Sequence, residues 1–161
     1  IGQGTMQITP VQLARFMAGV ATRGDFPELR LALDERPRTP PAGEQSADGG
    51  AGIRRQTWEL IHEGLQRVVH GSAGTARSVR GWLYPQATLR GLQAAGKTGT
   101  AETGRKRDGQ VLHHAWFAGY APADRPRVAV VVVIEDTPDY GGTRAAPVAA
   151  DLLHAYFANL E

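Results

Sequence analysis

Residues 128–134 read Val-Ala-Val-Val-Val-Val-Ile, and no other stretch limits the possible folds so tightly. Side chains branched at Cβ lose χ1 freedom in a helix but pack well on a pleated sheet. The run has no polar alternation, which predicts a strand buried on both faces. Two further strand candidates lie close upstream. Residues 114–121 are rich in aromatics and are followed by a turn, 122–126, bounded by Pro122 and Pro126 and short enough for a hairpin. Residues 95–102 come before a polar loop, 103–112, that carries Gly104, Asp108-Gly109 and a basic tip, Arg105-Lys106-Arg107.

Helical spacing surrounds this strand region. Thr9-Pro10 reads as a helix start, with Thr9 at the N-cap and Pro10 at the first helical position, where its missing N–H costs nothing. Leu13, Phe16, Met17 and Val20 follow as a core stripe, and Gly24 is the stop. Residues 29–33 are an extended candidate. Residues 35–52, with Pro37, Pro40, Pro41, Gly43, Gly49, Gly50 and Gly52 and little apolar content, are expected to be a flexible surface loop within one domain. A second helix is predicted over 54–69, with Trp58, Ile61, Leu65 and Val68 facing the core and Gly71 ending it. Thr75 is expected to cap a short turn reaching Val79, and Tyr84-Pro85 to mark another turn. Val148, Leu152, Leu153, Tyr156 and Phe157 give a C-terminal helix with Pro147 in its first turn. Helices, three consecutive strands and a last helix predict an α+β fold, an antiparallel sheet flanked by helices.

Composition excludes several classes. At 161 residues and 42% apolar content the chain can bury a real core. A net charge of +2 is too small to imply nucleic acid as a partner. Without cysteine there are no disulfides and no thiolate metal sites. No apolar run approaches the roughly 20 residues that span a membrane. The chain begins at Ile1 without a Met and is expected to be part of something longer.

The chemistry concentrates in Gly96-Lys97-Thr98-Gly99-Thr100-Ala101-Glu102, which suits an anionic or polar ligand. Read from Gly91 to Thr98 it matches the phosphate-loop pattern GxxxxGK[ST]. That motif needs a buried strand before the glycines and a helix after the Lys, whose N-terminus supplies much of the anion binding. Residues 85–90 make no buried strand, and Gly99, Gly104 and Gly109 make a poor helix. Read as an edge strand, Thr98 and Thr100 face one side and Lys97 the other. Two hydroxyls on one face can bind a carboxylate, Gly99 between them admits a ligand backbone, and an edge N–H can serve an oxyanion hole.

Four blocks carry a resemblance. They are Ile1-Gly2-Gln3-Gly4 with Thr9-Pro10-Val11-Gln12-Leu13-Ala14; Gly64-Leu65 through Val68-Val69 to Gly74-Thr75-Ala76; Gly96 to Glu102; and Ala115-Trp116-Phe117-Ala118-Gly119-Tyr120-Ala121-Pro122. In this order the chain, residues 1–161, resembles the C-terminal part of the transpeptidase domain of a class B penicillin-binding protein. The resemblance implies a serine D,D-transpeptidase of peptidoglycan cross-linking, serving cell division or cell shape. Its partners would be peptidoglycan stem peptides and β-lactams. It would act at the extracytoplasmic face of the bacterial inner membrane, held by a membrane segment absent from this chain, and without a cofactor. It further implies that Lys97 supports the active-site electrostatics and proton relay, that Thr98, Gly99 and Thr100 bind substrate, and that Thr98 and Thr100 hold its carboxylate. The Thr100 backbone N–H would complete the oxyanion hole.

The family's Ser-x-x-Lys is missing, since Ser46, Ser72 and Ser78 have no Lys three residues on, and so is Ser-x-Asn, Asn159 being the only Asn. Truncation is the simplest account, leaving one wall of the site without its nucleophile and a sheet prone to self-association. The alternatives are a catalytically silent scaffold module and a phosphate-loop ATPase. His62-Glu63 begins like a zinc-protease HExxH, but Gln66 stands at the second His position, so no metal is expected. His70-Gly71-Ser72-Ala73-Gly74 misses the GxSxG elbow at its first residue. His113 and His114 would point to opposite faces of a strand as packing or solvent-facing groups.

Overall fold

The computed structural model describes residues 7–29, 52–79 and 92–159. The expectations for residues 1–4, for most of the extended candidate and the Pro/Gly-rich loop, and for the turn at Tyr84-Pro85 lie outside the described residues.

Helix α1 spans Pro10–Ala21 and α2 spans Arg55–His70, followed by a short 3-10 turn, Arg77–Val79. Strands β1 (Ala95–Arg107), β2 (Gln110–Ala121) and β3 (Val128–Thr137) come next, then a π-helical turn, Gly141–Ala145, running into α3 (Ala146–Ala158). The sheet has the order β1-β2-β3 and is antiparallel throughout. Helices lie on both of its faces, so the expected α+β architecture is what the chain adopts.

α1 starts as its sequence dictates. The Thr9 hydroxyl accepts the Gln12 N–H at 3.3 Å, and the Gln12 side chain takes the Thr9 N–H at 2.9 Å, a reciprocal capping box. Thr9→Ala leaves the Gln12 N–H of the first turn without its acceptor and is expected to cost about 1 kcal/mol. The urea midpoint should fall with the denaturant slope unchanged. The α1 stripe is narrower than its spacing suggests: Met17 and Val20 are buried, whereas Phe16 is 52% exposed, its ring set beside that of Phe26.

Alternation along the strands divides the core in two. On one face Met17, Val20 and Ala21 of α1 and Trp58 of α2 close on Ala95, Ala118 and Tyr120. His62 joins the two helices there, its Nε2 2.8 Å from the Val20 carbonyl. Burial pushes the Tyr120 phenol up to about 12, against the lowering influence of the Arg23 charge, so the ring stays protonated. On the other face Ala115, Phe117, Ala121 and Val132 pack against Ala146, Ala149, Ala150, Leu153 and Phe157 of α3. Alanines let α3 sit close to the sheet, and this turns the helix away from the predicted stripe. Leu153 and Phe157 are buried; Val148, Leu152 and Tyr156 are exposed. β3 packs on both faces as expected, but its residues 128–131, 133 and 134 are only half-buried.

The predicted polar loop 103–112 is instead the end of a long hairpin. Asp108 and Gly109 both have positive φ (52° and 80°), the conformation of a type I′ turn, for which Asp-Gly is among the strongest sequence signals. Gly104, at φ 71°, lies in a bulge where the β1–β2 register shifts between Glu102 and Lys106. Arg105, Lys106 and Arg107 therefore sit on β1 and not in a loop. Arg105 lies 2.6 Å from Asp136, near enough for an ion pair but not aligned as a hydrogen bond. With Arg105 61% exposed, the pair adds about 0–1 kcal/mol.

Candidate active site on the outer edge of β1

The residues singled out in the sequence fall on β1, one edge of the sheet among the described residues. Lys97 pairs with Ala118 of the α1–α2 core face. Its exposed side chain lines a cavity of about 530 Å³ between β1 and the end of α2, together with Arg67, Ser72, Gly74 and Thr75. Thr98 pairs with Phe117 and faces the α3 side, where its hydroxyl meets that of Thr75 at 2.7 Å. Thr100 faces the same way, and its Oγ1 accepts the Gly141 N–H at 3.1 Å. The predicted split of one cation and two hydroxyls across the strand is present.

The backbone shows which peptide groups point out of the sheet. Both polar groups of a strand residue lie on one side, and the side reverses at each residue. The Gln93 carbonyl accepts the Ala123 N–H at 2.7 Å, on the β2 side. The Ala94 peptide faces the other way, toward His70 Nε2, which lies 3.0 Å from its oxygen and 3.2 Å from its nitrogen. Lys97 Nζ donates to the Thr98 carbonyl at 2.8 Å on that same outer side. The even-numbered residues thus turn their N–H and C=O groups outward, Thr98 and Thr100 among them.

Three residues of this cluster were not legible in advance. Thr75, expected as a helix cap, shares a hydroxyl–hydroxyl hydrogen bond with Thr98. Gly141 and Gly142 reach the site through close approach alone. A Cβ on Gly141 would collide with the carbonyl oxygens of Gly99 and Trp116, and one on Gly142 with that of Thr75. The α3-side face of Gly99 is therefore already covered by backbone, so the close approach expected at Gly99 is open only from the Lys97 side or the strand edge. The di-glycine itself was the available signal.

The remaining candidates separate from this site. His62 is engaged by Val20, Glu63 pairs with Arg67 at 2.6 Å, and among the described residues no group of three or more His, Cys, Asp or Glu is placed to hold a metal. His113 stacks on Tyr140 with ring centroids 5.4 Å apart, and His114 Nδ1 accepts the Asp136 N–H at 3.4 Å. The phosphate-loop alternative fails on geometry: the residues following Lys97 continue a strand to Arg107, where that motif requires a helix.

A family model for the penicillin binding protein transpeptidase domain matches residues 1–154. The peptidoglycan D,D-transpeptidase MrdA of Acinetobacter baumannii is 33% identical over 161 residues, 90% of this chain and 22% of the relative. The peptidoglycan D,D-transpeptidase PbpA of Mycobacterium tuberculosis is 30% identical over 159 residues, 96% of this chain and 30% of the relative. Among solved structures, Pseudomonas aeruginosa PBP2 in complex with WCK 5153 is 36% identical, with a TM-score of 0.71 over 97% of this chain and 32% of that one. The chain thus spans less than a third of the length of these relatives.

Proposed function

This chain belongs to the family of penicillin-binding protein transpeptidase domains, and on that premise we propose that it forms the Lys97–Thr100 wall of a serine D,D-transpeptidase site. The reading places the chain in the C-terminal part of its domain. The reactive serine, with its Ser-x-x-Lys and Ser-x-Asn motifs, is supplied by a part of the protein outside these 161 residues. In the reaction the serine oxygen loses its proton and bonds to the carbonyl carbon of a stem peptide, and the peptide's terminal amide breaks, its last residue leaving as the protonated amine. The acyl group then passes to the amine of a second stem peptide, whose proton returns to the freed serine. A β-lactam is opened by the same attack.

Each residue of the wall has a role that its position supports. Thr98 and Thr100 present hydroxyls on one face for the substrate carboxylate. The outward Thr100 N–H points to where an edge donor would meet the developing oxyanion. Lys97 brings a positive charge beside both. The protein acts outside the cytoplasm, on peptidoglycan, held to the membrane by a segment not in this chain.

The observation that carries the reading is the pairing of two same-face hydroxyls with outward peptide N–H groups on a strand edge flanked by a cation. The isolated chain carries no Ser-x-x-Lys and is expected not to react. After incubation with a labelled penicillin its intact mass should be unchanged. A stoichiometric adduct on Ser46, Ser72 or Ser78 would show that the nucleophile lies within the chain. The scaffold alternative is separated by the same assay on the full-length protein, where an unreactive product would favour it.

A further inference from the structure

We propose that the Gly141-Gly142 turn is the positioning element that aims the Thr100 hydroxyl at the substrate carboxylate, an inference that rests on the carboxylate role given above to Thr100. Forty residues of sequence separate the turn from Thr100, and strands β2 and β3 intervene, yet the fold lays its backbone directly on β1. The Gly141 N–H donates to Thr100 Oγ1 at 3.1 Å. A hydroxyl oxygen that accepts from a fixed backbone donor is held in one χ1 rotamer, and its own proton is directed away from that donor. Thr100 thereby becomes a hydrogen-bond donor of set direction, the polarity that an anionic ligand needs.

The turn is itself held from three sides. Ser78 Oγ donates to the Gly142 carbonyl at 3.1 Å. Gly142 lies against the Thr75 backbone, and Gly141 against the peptide groups of Gly99 and Trp116, at separations that leave no room for a Cβ. Thr143 clasps the residue before the turn, its hydroxyl meeting both the N–H and the carbonyl of Tyr140 at 3.3 and 3.2 Å. Thr98 shares its hydroxyl with the side chain of Thr75, and either of the two can donate. Thr100 is oriented by main chain, which cannot rotate to reverse the bond.

The test uses the full-length protein carrying this chain, with acylation rates measured for a penicillin and for its methyl ester, which lacks the carboxylate charge. Gly141→Ala forces the turn off β1. Acylation by the acid should slow about 10-fold, the loss of roughly one hydrogen bond to charge. The ester should change less than 2-fold. In a Thr100→Val background, already slowed about 10- to 150-fold toward the acid by the same range, adding Gly141→Ala should cost nothing further. Equal slowing toward acid and ester, or an undiminished cost in the Thr100→Val background, would make the turn merely structural and overturn the proposal. An unchanged rate in Thr100→Val alone would instead overturn the carboxylate reading beneath it. If Gly141→Ala does not fold, Ser78→Ala carries the comparison, since it removes only the tether to Gly142. Its expected loss is about 3-fold, again confined to the acid, at the scale of a neutral hydrogen bond, and equal loss on both probes is the overturning result.

Discussion

Replacing Lys97 with Ala in the full-length protein is expected to lower the rate of acylation by a penicillin by about 10²- to 10³-fold, the usual cost of removing one preorganised electrostatic donor from an acyl-transfer site. The geometry explains why the loss should be large. Lys97 Nζ is fastened at 2.8 Å to the Thr98 carbonyl, so its charge sits at the strand edge where Thr98 and Thr100 turn their peptide groups outward. It does not need to reorganise when negative charge appears on the reacting oxygen. Arg67 lines the same cavity but projects from α2, where its guanidinium is paired with Glu63 at 2.6 Å, and cannot take over. Lys97→Arg restores charge but not a compact ammonium, so it should recover only part of the rate. Single-turnover kinetics at saturating penicillin separate the acylation step from binding. A Lys97→Ala rate within 2-fold of the unsubstituted protein would remove Lys97 from the site.

What was legible in the sequence followed from local chemistry. The N-cap at Thr9, the strand carrying Lys97 to Thr100 and the Val-rich β3 each declare themselves within a few residues, because caps and β-branched runs act over that distance. The errors came from tertiary packing and from one overlooked turn. Asp108-Gly109 lies in the predicted polar loop, although its positive-φ preference calls for a tight hairpin. In α3, periodicity favoured the large side chains, yet the sheet selected the alanine face because small residues allow closer approach. Phe16 lies on the predicted stripe of α1 but beyond the reach of the sheet. The site shows the same division. Lys97, Thr98 and Thr100 are readable as a motif on one strand, whereas Thr75 joins it from 23 residues away and Gly141 and Gly142 from 41 to 44, through single hydrogen bonds and backbone contacts. No pattern within one element encodes such contacts.

The isolated 161-residue chain is expected to self-associate through β3. That strand pairs with β2 along one side, and among the described residues no strand pairs with the other. Residues 128–134 carry no charge and no proline, so the edge lacks the features that normally block pairing with another molecule. Charges come only at its two ends, Arg127 just before Val128 and Glu135 and Asp136 within the bulge that shifts the β2–β3 register opposite His113 and Ala115. Helix α1 packs on one face of the sheet, against Ala129 and Val131. Val133 is the place to interrupt this edge, because it is half-buried and belongs to neither core cluster, whereas Val131 packs against the α1–α2 core and Val132 is buried with α3. Val133→Lys should therefore leave the fold intact while placing a charge beside the pairing edge, weakening association by at least about 10-fold, the equivalent of about 1.4 kcal/mol. Sedimentation at rising concentration measures both species. A strictly monomeric chain that unfolds cooperatively at high concentration would show that the edge is already covered, and the segment beginning at Leu29 is the first to delete in finding out by what.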